Sequence, residues 1–179
     1  MLVSDMAGRA SIELKAKEVG IDLDPDHEEG RAAIASVLAR VKDLELRGWT
    51  FDAADASFDL LLRRELGLAP EYFDVESWRV ITDRRASDAA LSEATVKVLA
   101  GGTRHVETGE GNGPVNALDH AMRQALAHAY PEIERFELID FKVRIMDTQH
   151  GTDAVTRVLV ETMDTEGERT WRTVGVGPN

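Results

Sequence analysis

The stretch GEGNGPVNALDHAMRQAL, residues 109–126, decides how the chain is organised, because alternating glycines lead directly into a proline and a helical run. Pro114 suits the first position of a helix, where its missing N–H costs nothing, and we expect this helix to run to about Ala129. Neither nucleotide-binding pattern fits. A phosphate-binding loop needs a Lys after its last glycine, and a dinucleotide fingerprint needs glycine at position 114 or 116, where Pro and Asn stand. The loop is predicted to be a tight strand-to-helix turn whose amides suit a carboxylate at most.

The pattern around this loop occurs twice. FDVESWRV (73–80) aligns with FELIDFKV (136–143), and Gly-Asn-Gly-Pro (111–114) aligns with Gly-Val-Gly-Pro (175–178). Between these segments we expect hairpins that turn at Gly101-Gly102 and at Glu166-Gly167. Each unit therefore reads strand, hairpin, Gly-x-Gly-Pro and helix, with the second helix absent. We expect the sequence to be truncated there, because three strands without a helix would leave an apolar face uncovered.

The chain before residue 70 is predicted to be helical. Gly20 and Gly48 end the first two helices, 10–20 and 31–48, and Thr50 or Asp52 is the expected N-cap of a third that ends near Gly67. Apolar residues at helical spacing mark the buried face of the second helix: Ile34, Val37, Leu38, Val41 and Leu44. The predicted fold class is α+β, with helical subdomains over 1–70 followed by a domain of two βββα-type repeats, 71–130 and 131–179, whose last helix is absent.

Composition narrows the possible partners. The formal net charge of −12 repels phosphate backbones and anionic lipid, so we expect neither nucleic acid nor membrane as a partner. The 179 residues contain no cysteine, which excludes disulfides, thiolate nucleophiles and zinc–thiolate sites. No apolar run reaches the length of a membrane span and no signal peptide opens the chain, so a cytoplasmic location is expected.

The sequence offers only weak signals for chemistry. The acidic stretch at Asp22, Asp24 and Asp26 fails as a calcium loop, because His27 and Ala33 stand where Gly and Glu are required. The five histidines lack the spacing of a metal site, so no metal ligand is predicted. An acid–base role for His105, Glu107 and Asp119 is the alternative that would make the chain a small self-contained α+β hydrolase, but nothing in their spacing requires it.

The strand around residues 138–145 combines apolar side chains on both faces. Period-two geometry places Phe141, Val143 and Ile145 on one face and Leu138, Asp140 and Lys142 on the other. The pattern is satisfied by a bulge or by a strand that lies between two packed layers.

Several blocks in order carry a specific resemblance: LVSDMAGRASIELKAKEVGIDL, AADASFDLLLRRELG, EATVKV, GEGNGPVNALDHA, LIDFKVRI and TVGVGPN. Together they resemble the C-terminal part of the citramalate synthases, which belong with the 2-isopropylmalate synthases. The resemblance implies helical linker subdomains up to about residue 70, then a dimerising regulatory domain that binds isoleucine or leucine for feedback inhibition. The family's catalytic barrel, with its divalent metal and acetyl-CoA, would lie before Met1. No cofactor is expected in this chain.

The resemblance also implies an effector site and no catalytic residue. In the segment around Gly8-Arg9 this chain lacks the His that the isopropylmalate branch contributes to its partner's active site, so no catalytic role is carried over. The effector would meet residues after the glycine loop, on the strand 138–145, at the start of the next strand and in the closing loop. The implied contacts are Val115, Asn116, Leu138, Phe141, Ile145, Ala154, Val155, Thr156 and Pro178, with Gly111, Gly113 and Pro114 forming the loop. Asp140 is a further candidate acceptor for the effector's ammonium group.

Three hypotheses follow. The first is an allosteric, homodimeric regulatory fragment that is inactive without the barrel. The second is a dimerisation module that has lost its ligand, and the third is the small hydrolase using His105, Glu107 and Asp119.

Overall fold

The computed structural model describes residues 8–83, 91–146 and 154–178. Within them the chain forms an α+β fold, as predicted. The helices are α1 (Arg9–Glu18), α2 (Glu28–Leu46), α3 (Asp55–Glu65) and α4 (Pro114–Ala127), with a 3-10 helix at Pro131–Arg135. The strands are β1 (Phe73–Asp83), β2 (Leu91–Ala100), β3 (Thr103–Gly111), β4 (Phe136–Ile145), β5 (Val155–Asp164) and β6 (Arg169–Pro178). They build two three-stranded sheets, in the orders β1-β2-β3 and β4-β5-β6.

The first three helices all end on a glycine in the left-handed region. Gly20, Gly48 and Gly67 have φ of 78°, 96° and 67°. In each case the residue after the glycine donates its N–H back into the last turn, for example Ile21 to the carbonyl of Ala16 at 2.8 Å and Leu68 to that of Arg63 at 2.7 Å. This is the Schellman closure, which only glycine adopts without strain from a Cβ. The predicted stops at Gly20 and Gly48 are confirmed.

The helical core has the predicted residues on the buried face of α2. Ile34, Val37, Val41 and Leu44 are buried, and Leu38 is partly buried against the same cluster. Phe51 and Phe58 meet edge to face with ring centroids 6.2 Å apart.

The predicted N-cap of α3 is wrong. The cap is Ala54 rather than Thr50 or Asp52, and no side chain caps the helix. Because Phe51 and Ala54 are both fully buried, the chain runs inward over these residues and the helix starts only after them.

The first sheet is covered on one face by α4. Gly101 and Gly102 both have positive φ and turn the β2–β3 hairpin, as predicted. Ala94, Val96 and Val98 of β2 pack against the small residues on one stripe of α4. That stripe is Ala117, Ala121 and Ala125. Small side chains on both layers let the helix approach the sheet closely.

The second sheet has the same antiparallel hairpin. β5 pairs with β6 from Val155 opposite Pro178 to Asp164 opposite Arg169, and the turn between them contains the predicted Glu166-Gly167. Leu159, Val174 and Val176 pack against the core of the three N-terminal helices.

Two compact units divide the chain. One is Pro70–Phe136, with β1, β2, β3 and α4. The other combines the chain up to Ala69 with the chain from Glu137 onward, so that the three N-terminal helices and the second sheet form one unit. The predicted functional division into 1–70 and 71–179, with repeats meeting at residue 130, stays a prediction. Among the described residues, no helix combines the length and the apolar character that crossing a membrane requires.

Candidate functional site

The predicted effector residues fall into two sets, one in each compact unit. Gly111, Gly113, Pro114, Val115 and Asn116 belong to the unit 70–136. The other set belongs to the unit that contains the second sheet, and its members are Leu138, Phe141, Ile145, Ala154, Val155, Thr156 and Pro178.

The glycine loop serves close packing of α4 on β3. A Cβ at Gly109 would lie 2.5 Å from the backbone nitrogen of Ala121, and one at Gly111 would lie 2.6 Å from that of Ala117. Gly113 has open space around it and precedes Pro114, the first residue of α4, in an extended conformation. No side chain caps this helix, so the first-turn N–H groups of Val115 and Asn116 have no side-chain acceptor at its start.

The side chain of Asn116 braces this loop. Its Oδ1 accepts the N–H of Asn112 at 3.2 Å, and its Nδ2 lies 3.3 Å from Nε2 of His120. His120 Nδ1 lies 2.7 Å from the carbonyl oxygen of Glu110, which only accepts, so Nδ1 carries the proton and Nε2 accepts from Asn116. Sequence reasoning missed His120. Its position one turn after Asn116 on the same helix face is the signal that indicates it.

The second Gly-x-Gly-Pro differs from the first. Neither Gly175 nor Gly177 has any atom within 4 Å of an added Cβ, and Thr173 stands where the first repeat has Gly109. The close helix-on-strand packing of the first loop is therefore not reproduced among the described residues of the second.

The apolar residues predicted on β4 lie at the surface of their unit. Leu138, Phe141 and Ile145 are 45%, 39% and 52% exposed. Met146 donates its N–H to the carbonyl of Val155 at 2.8 Å, and Val155 pairs with Pro178. The end of β4, the start of β5 and the end of β6 therefore lie side by side at one end of the second sheet's strands. Ile145, Val155 and Pro178 come together there.

Among the predicted effector residues, Thr156 shows the clearest feature of a polar binding site. Its side-chain Oγ1 is buried without a hydrogen-bond partner among the described residues. Thr156 pairs with Gly177, whose missing side chain leaves space beside it. A buried hydroxyl without a partner costs free energy, and an incoming polar group would recover it. Ala154, two residues earlier, is buried.

Asp140 already has a partner. Its carboxylate accepts a hydrogen bond from the Lys142 ammonium, and this bond holds the pKa of the Asp140 carboxyl below its ordinary value. An effector ammonium at Asp140 would therefore have to compete with Lys142.

The acid–base alternative is not assembled. His105 stacks on His128 with ring centroids 4.8 Å apart, and Glu107 pairs with His128 at 3.0 Å. Asp119 is instead held by Arg123 at 2.8 Å. Over the described parts of the chain, no three His, Asp or Glu side chains are grouped so as to hold a metal ion.

One polar cavity of about 230 Å³ lies between the start of α3 and the β5–β6 hairpin. It contains none of the predicted effector residues. Its lining is Asp52, Ala53, Asp55, Glu161, Thr170, Trp171 and Arg172. Arg172 already pairs with Glu161 at 3.1 Å, and its backbone N–H donates to Asp55 at 3.0 Å, so the charged groups here bind one another.

Two antiparallel βββ sheets, each closing on Gly-x-Gly-Pro, define the class of protein. A family model described as the LeuA allosteric (dimerisation) domain matches residues 52–179. The chain belongs to this family, and the resemblance found from the sequence is confirmed.

Three relatives give the closer context. The (R)-citramalate synthase of Streptomyces coelicolor is 57% identical over 180 residues, which cover 100% of this chain and 33% of that protein. Those of Aquifex aeolicus and Geobacter sulfurreducens are each 43% identical, over 99% and 100% of this chain and 33% of each protein. The chain thus spans about a third of the length of the curated relatives that it matches.

Proposed function

We propose that this chain is the regulatory part of an acetyl-CoA-dependent acyltransferase, a citramalate synthase or 2-isopropylmalate synthase, and that it binds isoleucine or leucine to mediate feedback inhibition. The catalytic barrel, with its divalent metal and acetyl-CoA, is a separate part of such an enzyme. Isoleucine is the first candidate effector, because the matched relatives are named citramalate synthases.

The observation that carries the proposal is the end of the second sheet's strands, where Ile145, Val155 and Pro178 meet beside Thr156. Exposed apolar side chains there suit a branched aliphatic group, and the buried Thr156 hydroxyl lacks a partner among the described residues. At the other predicted half, the uncapped start of α4 presents the N–H groups of Val115 and Asn116, which suit a carboxylate.

A homodimer is part of the proposal. Each sheet carries large apolar side chains at its surface, including Phe73 at 46% and Trp78 at 63% exposure in the first sheet and Val143 at 54% in the second. Exposed apolar surface on this scale marks an interaction site, and the family to which the chain belongs is described by dimerisation.

Thermal unfolding of the purified chain with isoleucine, leucine or valine tests the effector. Ligand at about 100 times its dissociation constant adds ~2.7 kcal/mol to the free energy of unfolding. For a chain of this length that corresponds to a rise in Tm of roughly 5–10 °C. D-isoleucine is the matched control. A rise with isoleucine alone supports a citramalate-synthase regulator, and one with leucine alone an isopropylmalate-synthase regulator.

The ligand-free dimerisation module predicts a different result. It gives a stable dimer in light scattering, with a Tm that none of the three amino acids changes. That combination would overturn effector binding and leave dimerisation in place.

A further inference from the structure

The edge strand of the second sheet is held by side chains of α3. β6 is an outer strand in the order β4-β5-β6. The N–H of Arg172 donates to Oδ1 of Asp55 at 3.0 Å, and the N–H of Val174 donates to Oγ of Ser57 at 2.9 Å. Residues two apart on a strand direct their N–H groups to the same side, here away from β5. We name these two hydrogen bonds the α3 latch.

A second tie joins the same sheet to the end of α2. Nε of Arg157 donates to the carbonyl oxygen of Gly48 at 2.5 Å, across 109 residues of sequence. Gly48 is the left-handed residue that closes α2. An added Cβ at Gly48 would lie 3.7 Å from a methyl group of Val176 on β6, so the helix end is packed directly on the sheet.

One short strand segment touches both the candidate effector site and the helices. Thr156, with its buried hydroxyl, immediately precedes Arg157 on β5. Because neighbouring side chains on a strand point to opposite faces, Arg157 is directed toward the helices and Thr156 away from them. A ligand that draws Thr156 outward therefore moves the backbone that positions Arg157.

We propose that the α3 latch and the Arg157–Gly48 bond carry the effector signal from the second sheet to helices α2 and α3. This inference rests on the proposed function and adds the residues that transmit it. A hydrogen bond weakens steeply when its donor and acceptor move out of line, so a small shift of the second sheet changes the strength of these bonds. Coupling of this kind typically changes affinity by about 5- to 150-fold.

Hydrogen exchange on the full 179-residue chain tests the proposal, with isothermal titration calorimetry of isoleucine and leucine alongside. In the unaltered chain, ligand is expected to slow exchange both at residues 154–157 and in α2 and α3. The double variant Asp55→Ala/Ser57→Ala is expected to bind ligand within about threefold of the unaltered chain, because neither side chain belongs to the candidate site. Its ligand-induced protection is expected to stay at residues 154–157 and to be lost from α3, while α2 keeps a response through the Arg157–Gly48 bond.

Two further variants separate transmission from general damage to the helices. Ser36→Ala/Asp59→Ala removes the same two chemical groups from side chains that bond to Glu65 and Arg63 within the helical segment. It is expected to keep the full response. Asp55→Asn/Ser57→Thr retains an acceptor oxygen at each latch position and is expected to restore the response that the alanine pair loses.

The outcomes are distinguishable. Ligand binding with an undiminished response of α3 in the alanine pair overturns the latch and leaves the proposed function standing. No binding of isoleucine or leucine to the unaltered chain overturns the proposed function itself, and with it the latch. If the alanine pair does not fold, Ser57→Ala alone decides, since a response of α3 equal to that of the unaltered chain contradicts the proposal.

Discussion

The backbone of Gly109 lies so close to that of Ala121 that a Cβ on Gly109 would sit 2.5 Å from the Ala121 nitrogen and 2.7 Å from the carbonyl oxygen of Ala117. Both of these are backbone atoms of α4, so no side-chain rotation relieves the contact. Gly109 and Gly111 are thus explained by helix-on-strand packing, although they stand in a pattern that superficially resembles a nucleotide loop.

Gly109→Ala is therefore expected to lower the free energy of unfolding by about 1–3 kcal/mol or more, as overpacking of a tight core does. Gly113→Ala is the matched control, because Gly113 is extended and nothing lies within 4 Å of its added Cβ. It is expected to be neutral or to stabilise by up to about 1 kcal/mol through the unfolded chain. Urea denaturation of both variants measures the difference, and equal midpoints would contradict the packing role.

Arg123→Ala is expected to destabilise the unit 70–136 by about 1–3 kcal/mol, because a guanidinium that binds several acceptors is removed. Arg123 pairs with Asp119 and donates to the carbonyls of Ile133 and Phe136, so it ties α4 to the 3-10 helix and the start of β4. Arg79→Ala, on the exposed surface of β1, is the control and should change stability by less than about 0.5 kcal/mol. In thermal unfolding, the Tm of Arg123→Ala should be lower than that of Arg79→Ala. A Tm for Arg123→Ala no lower than that for Arg79→Ala would sink the assignment.

Thr156→Val is expected to stabilise the free chain by about 1 kcal/mol, since it replaces a buried hydroxyl that lacks a partner by a methyl group of similar size. The same change should weaken isoleucine binding by about 3- to 10-fold, the worth of one lost hydrogen bond. Thr162→Val, on the same face of β5, should leave affinity unchanged. Calorimetry measures the expected loss of isoleucine affinity, and thermal unfolding measures the expected gain in stability. Unchanged isoleucine affinity would remove Thr156 from the site.

Phe141→Ala is expected to reduce effector affinity by about tenfold while lowering the free energy of unfolding by less than about 1 kcal/mol, because the side chain is 39% exposed. Glu137→Ala, at an exposed position of β4 outside the predicted effector contacts, is the control for a general effect on that strand. The two affinities are compared by titration calorimetry. Equal affinities would mean that Phe141 does not line the pocket.

Local patterns predicted the elements well because each depends on neighbouring residues. Gly20, Gly48, Gly101 and Gly102 have the positive φ that their positions in the sequence indicated, and Pro114 begins α4 as expected. The start of α3 was misjudged because the polar residues that looked like caps lie beside Phe51, whose burial governs the path of the chain there.

No local sequence pattern predicts the contacts between residues far apart in the chain. Asp55 and Ser57 resemble ordinary first-turn residues of a helix, and nothing local indicates that they accept amides 117 residues away. Asn116 is a predicted effector contact, but its side chain is engaged by Asn112 and His120. The residue set of the candidate site stays a prediction drawn from the resemblance.

The discontinuous unit also fixes an order of events during synthesis. Residues 70–136 carry their own core, formed by β2 and α4, and all of them are made before β6 exists. The three N-terminal helices meet Val174 and their other contacts with the second sheet only after that intervening unit has been translated. Domains usually fold from the N-terminus onward as the chain is made. Residues 70–136 can therefore complete their core before the second sheet is available to the three helices.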